Sequence, residues 1–153
     1  MSLTIPPAEP ADYPVLAAIG HLAFQPDKEK YGLGPGIYED PSFLVPLLQK
    51  GDQAVRKLVV DGEMIGVLIT RPVEPGVMHL GCLCVLPSHQ AMGYGSQALK
   101  LLEKAYPAAR RWELDTPADS EKHRRFYEKN GYRVARYTPT DRGPELVVLE
   151  KFL

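Results

Sequence analysis

This chain has few cysteines, no surplus of charge and no long apolar run. The two cysteines, Cys82 and Cys84, stand two apart inside an apolar segment. On a strand both side chains share one face, with Cα atoms about 7 Å apart, farther than a disulfide favours. Two thiolates without a second ligand pair also make a poor zinc signal. Both are read as small buried residues, and no metal is expected. No apolar stretch approaches the ~20 residues that span a bilayer. The opening Met-Ser-Leu-Thr-Ile-Pro lacks the charged start and apolar run of a signal peptide. A cytoplasmic protein without membrane association is expected. Net charge is -1, with Lys and Arg scattered, which argues against nucleic acid or anionic lipid as the main partner. Repeats and low-complexity segments are missing too.

What is there reads as one ordinary globular domain over residues 1–153, 44% hydrophobic and 24% charged. Ser2 to Ile5 is a short strand candidate, stopped by Pro6-Pro7. Asp12 can cap a helix with Val15, Leu16, Ile19, Leu22 and Ala23 at helical spacing. A Gly- and Pro-rich loop is expected from Gln25 to Asp40. A second helix, capped by Ser42, would carry Phe43, Leu44, Leu47 and Leu48, with Pro46 in its first turns. Ala54 to Val60 and Glu63 to Thr70 form a hairpin around Asp61-Gly62. Glu74-Pro75-Gly76 then turns the chain into a strand over Val77 to Leu86.

The most informative segment follows. Residues Gln90 to Ser96 read Gln-Ala-Met-Gly-Tyr-Gly-Ser, between that strand and an amphipathic stretch from Gln97 to Tyr106. Gly93 and Gly95 would let the backbone approach an anion closely. The first N–H groups of the helix, which lack internal partners, would point at it. A phosphate-bearing cofactor is implied. Neither the third glycine of a dinucleotide fingerprint nor the Lys-Ser/Thr pair of a Walker loop is present. Beyond it, Arg111 to Thr116 is a strand. Asp119 or Ser120 caps a helix that runs through Lys129 and stops at Asn130-Gly131. Arg133 to Thr138 and Glu145 to Lys151 pair last. The order predicts a mixed α/β (α+β) fold, helices covering a mostly antiparallel sheet, not a doubly wound one.

Two segments carry a family resemblance. Val85-x-Pro87-x-x-Gln90-x-x-Gly93-x-Gly95 resembles the acetyl-CoA-binding motif of the GCN5-related N-acetyltransferases. Phe126-Tyr127-Glu128-Lys129-Asn130-Gly131-Tyr132 resembles that family's second signature. The element order suits the family over nearly the whole chain. The resemblance implies about six or seven strands, about four helices and a splayed strand pair at the cofactor site. It divides the domain into a substrate-facing part (about 1–76), an acetyl-CoA-binding part (about 77–132) and a terminal strand pair (about 133–153). It implies direct acetyl transfer from acetyl-CoA to a primary amine of a small molecule or peptide, and makes a homodimer plausible. A non-catalytic CoA-sensing module on the same fold is the alternative, and a nucleotide-phosphate enzyme a more distant one.

The same resemblance supplies candidate roles. The edge Leu83, Cys84 and Val85 would pair with the pantetheine amides. The backbone N–H groups of Ala91, Met92, Gly93, Tyr94, Gly95 and Ser96 would hold the pyrophosphate, and Gln90 of the motif is counted with the cofactor-binding residues. His79 stands where arylalkylamine acetyltransferases of the family carry a catalytic histidine, although Gly81 replaces their second one. His79 is either a base or a strand histidine bonded at the sheet edge. Tyr127 would meet the departing sulfur, and Phe126 is expected to be core. The backbone N–H near Leu83 could polarise the thioester carbonyl. Ser120 stands where relatives often have asparagine, and either contacts pantetheine or caps the helix. His123 is expected to be exposed, with cofactor contact the lesser alternative, and Glu113 and Asp115 to be surface or ion-pair residues more than bases. Tyr31 and Tyr38 are candidates to face a cationic amine.

Overall fold

The computed structural model describes residues 2–31, 53–139 and 145–153. The expected helix near Ser42 and the candidate Tyr38 lie outside them, as does the side chain of Tyr31.

Seven strands form one sheet. They are β1 (Leu3–Thr4), β2 (Ala54–Val60), β3 (Glu63–Glu74), β4 (Val77–Val85), β5 (Arg111–Pro117), β6 (Arg133–Thr138) and β7 (Leu146–Phe152), in the order β1-β2-β3-β4-β5-β7-β6. All neighbours are antiparallel except β4 and β5. Three helices accompany the sheet among the described residues: α1 (Tyr13–Tyr31), α2 (Tyr94–Ala105) and α3 (Glu121–Lys129).

Local chemistry accounts for the turns. Asp61 and Gly62 both take positive φ, 52° and 78°, as a two-residue hairpin turn requires. Gly131 (φ 97°) ends α3, and the N–H of Tyr132 returns to the carbonyl of Tyr127 at 3.0 Å. Asp12 lies in a short 3-10 turn just ahead of α1 rather than at its cap. Its carboxylate accepts from the Glu9 N–H at 2.9 Å and from Lys57 Nζ at 2.9 Å.

Two boundaries differ from the sequence reading. The chain from Gln25 to Tyr31 is the last part of α1, not a loop, and Pro26 lies inside that helix. Proline at that point removes a single N–H, and the longer run of helix-forming residues carries the turn past it. α2 starts at Tyr94, three residues before the expected Gln97, because Gly93 at φ 85° serves as its cap.

The core has two layers, one on each face of the sheet. One face packs Leu58, Leu68, Leu80 and Trp112 against Leu99 and Leu102 of α2. The other packs Val67, Ile69 and Cys84 against Leu16 and Ile19 of α1. Full burial of each large apolar side chain contributes ~1.5–3 kcal/mol, so these layers fix the sheet between the two helices.

A bulge in β4 sets up everything downstream. Cys82 opposes Ile69 while Leu80 opposes Thr70, which leaves Gly81 unpaired. One extra residue reverses the alternation. Leu80 therefore faces α2, yet so do Leu83 and Val85, whereas Cys82 and Cys84 turn to the α1 face. Neither cysteine forms a disulfide; Cys84 is buried and Cys82 half-buried.

Candidate active site

The sheet forks. β4 and β5 are paired in parallel at only three positions: Val77 with Arg111, Met78 with Trp112, and His79 with Glu113. Beyond His79 the strands part. β4 stays bonded to β3 on one side through Val85, so Leu83 to Val85 present their other edge to the gap. An open cleft of about 620 Å³ occupies it, lined by Leu83, Cys84 and Val85 on one side and Ser120 and Tyr127 of α3 on the other.

The glycine bend closes one end of the cleft. Gln90, Ala91, Gly93, Tyr94, Gly95 and Ser96 line it, and Met92 points outward, 61% exposed. Ala91 (φ 62°) and Gly93 (φ 85°) both occupy the left-handed region. For alanine that costs roughly 1–2 kcal/mol, and such strain gathers where the backbone serves a function. Among the described residues, the N–H groups of residues 91–96 donate to no protein acceptor. The first amide of this segment to be bonded is that of Gln97, to the Gly93 carbonyl at 3.1 Å. Consecutive unbonded N–H groups at a helix start, on alternating left-handed backbone, form a concave donor array suited to an anion.

Gly95 has a further reason to be glycine. A Cβ there would lie 2.9 Å from Cζ of Phe126, so the missing side chain makes room for an aromatic ring. Phe126 therefore ties the start of α2 to α3. It also lines the cleft instead of being wholly core. Gln90 donates from Nε2 to the Val85 carbonyl at 2.9 Å, which braces the bend against the end of β4.

The charge of the cleft is not visible in the sequence. Lys122 and Lys129 of α3 line it with His89 and His123, and among the described residues no carboxylate does. The two lysines stand seven apart, so folding of α3 places both on one helix face. His123 is half-buried in the wall rather than exposed. Its Nδ1 lies 2.8 Å from Ser120 Oγ. Ser120 stands at the cap position of α3, but its side chain makes no capping hydrogen bond. Leu22, Ala23, Phe24 and Pro26 of α1 complete the wall, and of these only Pro26 falls in the stretch expected to be a loop.

Tyr127 projects from α3 between the rings of Phe126 (5.0 Å between centroids) and Tyr132 (5.5 Å). Burial holds its phenol well above the ordinary tyrosine range, and the nearby Cys82, Tyr132 and Cys84 add to the shift. The hydroxyl is thus neutral at any physiological pH. His79 does not line the cleft. It sits at the fork itself, with Nδ1 3.4 Å from Glu113 Oε1. Glu113 is correspondingly half-buried, and Asp115 is exposed. No group of three or more His, Cys, Asp or Glu among the described residues is placed to hold a metal ion. Nor is any helix there long and apolar enough to cross a membrane.

A family model described as the acetyltransferase (GNAT) family matches residues 24–132, a span that contains both the bend and the tyrosine. The chain belongs to that family. Solved members share its fold at low identity. The PaiA N-acetyltransferase of Thermoplasma acidophilum, in complex with coenzyme A, is 17% identical and aligns over 100% of both chains with a TM-score of 0.80. An acetyltransferase from Thermus thermophilus is 24% identical over 100% of this chain and 98% of its own, with a TM-score of 0.81. A family acetyltransferase from Elizabethkingia anophelis with acetyl-CoA bound is 19% identical over 99% and 98%, with a TM-score of 0.74. Among curated proteins none matches the chain in sequence. The acyl donor of this acetyltransferase is acetyl-CoA. The unbonded amides and the cationic lining fit its phosphates, and the narrow gap fits its pantetheine arm.

Proposed function

We propose that this acetyltransferase is an N-acetyltransferase, moving the acetyl group of acetyl-CoA to a primary amine of a small molecule or peptide. The observation that carries the reading is the run of unbonded N–H groups at residues 91–96, set at the mouth of a gap in the sheet that ends beside Tyr127. A diphosphate on that bend would direct the pantetheine arm along Leu83 to Val85. A hydrogen bond to a charged group contributes ~1.5–3 kcal/mol, so two or three suffice for micromolar affinity when the cations of α3 assist.

The amine attacks the thioester carbonyl carbon. The new N–C bond forms as the C–S bond breaks, the sulfur leaves as thiolate, and the nitrogen gives up its extra proton. An alkylammonium with a pKa near ~10.4 is deprotonated in only about one molecule per thousand at neutral pH. A base therefore contributes, by ~10²–10⁴-fold, and His79 takes that role, directly or through a water. The N–H near Leu83 polarises the carbonyl. A free thiol titrates near ~8.5 and a free phenol near ~10, a gap of about 2 kcal/mol that burial of Tyr127 widens. Proton transfer from tyrosine to the thiolate is thus uphill. Tyr127 acts as a hydrogen-bond donor to the leaving sulfur rather than as an acid.

A panel of small and peptide amines with acetyl-CoA, read by thiol release, tests this. Amine-dependent release is expected, together with mass gain on the amine. Tight CoA binding with no release from any amine would make the chain a sensor instead.

A further inference from the structure

His79 has a second-strand neighbour that its assignment as base leaves unexplained. His79 and Glu113 are in register at the final rung before the sheet forks. Their side chains are 17% and 18% exposed, and His79 Nδ1 lies 3.4 Å from Glu113 Oε1. That nitrogen is buried and has no hydrogen-bond partner. A buried polar atom left so is unfavourable, and nearly all such atoms in folded proteins find a partner. An approach of about half an ångström would form a charge-assisted bond of ordinary length.

The surrounding charges leave Glu113 free for this. Arg71 of β3 stands in register with His79 on the other side. Glu150 of β7 is in register with Glu113, but its carboxylate takes Arg111 Nη1 at 3.2 Å. Arg111 also reaches Glu74 at 3.6 Å. Among the described residues His79 is the sole ion-pair partner of Glu113. Such a pair fixes one tautomer of the imidazole, with the proton on Nδ1 and a lone pair on Nε2.

We infer that Glu113 is a positioning residue: it accepts from His79 Nδ1–H, so that Nε2 is bare and oriented to take the proton of the acceptor amine. This rests on the reading of His79 as the base. The proton passes from ammonium nitrogen to Nε2, and Nδ1–H stays donated to Glu113 throughout. Without the carboxylate the ring is free to turn or to protonate on Nε2, where it accepts nothing.

Four proteins test it: wild type, His79→Ala, Glu113→Gln and the double variant, compared in kcat, in KM for acetyl-CoA and in the ¹⁵N shifts of the His79 ring. Glu113→Gln is expected to lower kcat by about tenfold or more, within the range a general base supplies, with KM for acetyl-CoA unchanged. The double variant should be no slower than His79→Ala, and the wild-type shifts should report Nδ1 protonated. Losses that multiply in the double variant would overturn the inference, as would a wild-type ring protonated on Nε2. A Glu113→Gln kcat equal to wild type beside an impaired His79→Ala would sink the positioning role and leave the base intact. Full kcat in His79→Ala would remove the base, and this inference with it.

Discussion

Ala91 holds a backbone conformation that alanine resists, and it does so beside Gly93, where φ is also positive. Ala91→Gly should relieve the strain and raise stability by up to ~1 kcal/mol, seen as a higher midpoint in chemical denaturation, with acetyl-CoA affinity unchanged. Gly93 differs, since a side chain there meets both a strained φ and the donor array. Tyr127→Phe removes a hydroxyl placed for the leaving sulfur. It should cut kcat by about tenfold, the scale of a single hydrogen bond, with little change in KM for acetyl-CoA. Equal losses in both would make the hydroxyl a binding group. The neutral phenols of Tyr127 and Tyr132 also bear on stability. Burial raises both, with Glu103 a lesser cause at Tyr132. Above pH ~10 the unfolded chain releases protons that the folded one keeps. Stability is therefore full below that pH and falls as pH rises through it. Tyr132→Phe should flatten the alkaline decline in melting temperature, and an unchanged slope would contradict the assignment.

Among elements, β4 matters most, and its neighbour β3 keeps it in place. A Cβ on Gly66 would come 2.3 Å from the carbonyl oxygen of Cys84, a backbone atom that cannot rotate away. Gly66→Ala should therefore force β3 and β4 apart, at a cost of at least ~1–3 kcal/mol. It should also weaken acetyl-CoA binding, since Leu83 to Val85 shift with the strand. Calorimetric melting of the free protein separates the two effects. The elements themselves are largely legible. The Asp61-Gly62 hairpin, the Gly76 turn and the Asn130-Gly131 stop follow from residues with few conformational choices. Gly81 offers a cue to the bulge, since a glycine inside a strand often marks one, but the reversal of faces that follows is not legible. The end of α1 is obscured for the opposite reason: Pro26 looks like a stop, but the helix-forming residues around it carry the helix through.

For the molecule as a whole, the family signatures at Gln90 to Gly95 and Phe126 to Tyr132 make the cofactor site readable. Local sequence carries its donors, because a strand, a bend and a helix start lie consecutively. The rest of the cleft comes from residues distant in sequence. Lys122 and Lys129 become a cationic wall only when α3 crosses the gap, and His79 meets Glu113 only because β5 returns beside β4. Such pairings are set by topology, which residue types do not encode one by one. Calorimetric titration of acetyl-CoA into the wild type and into Gly93→Asp bears most directly on the central claim, that the bend grips the cofactor's diphosphate through bare backbone amides. Saturable one-to-one binding to the wild type, lost or weakened at least a hundredfold in a variant that still melts cooperatively, is the predicted result, being the combined effect of two or more charged hydrogen bonds. Equal affinity in the two proteins would place the cofactor elsewhere.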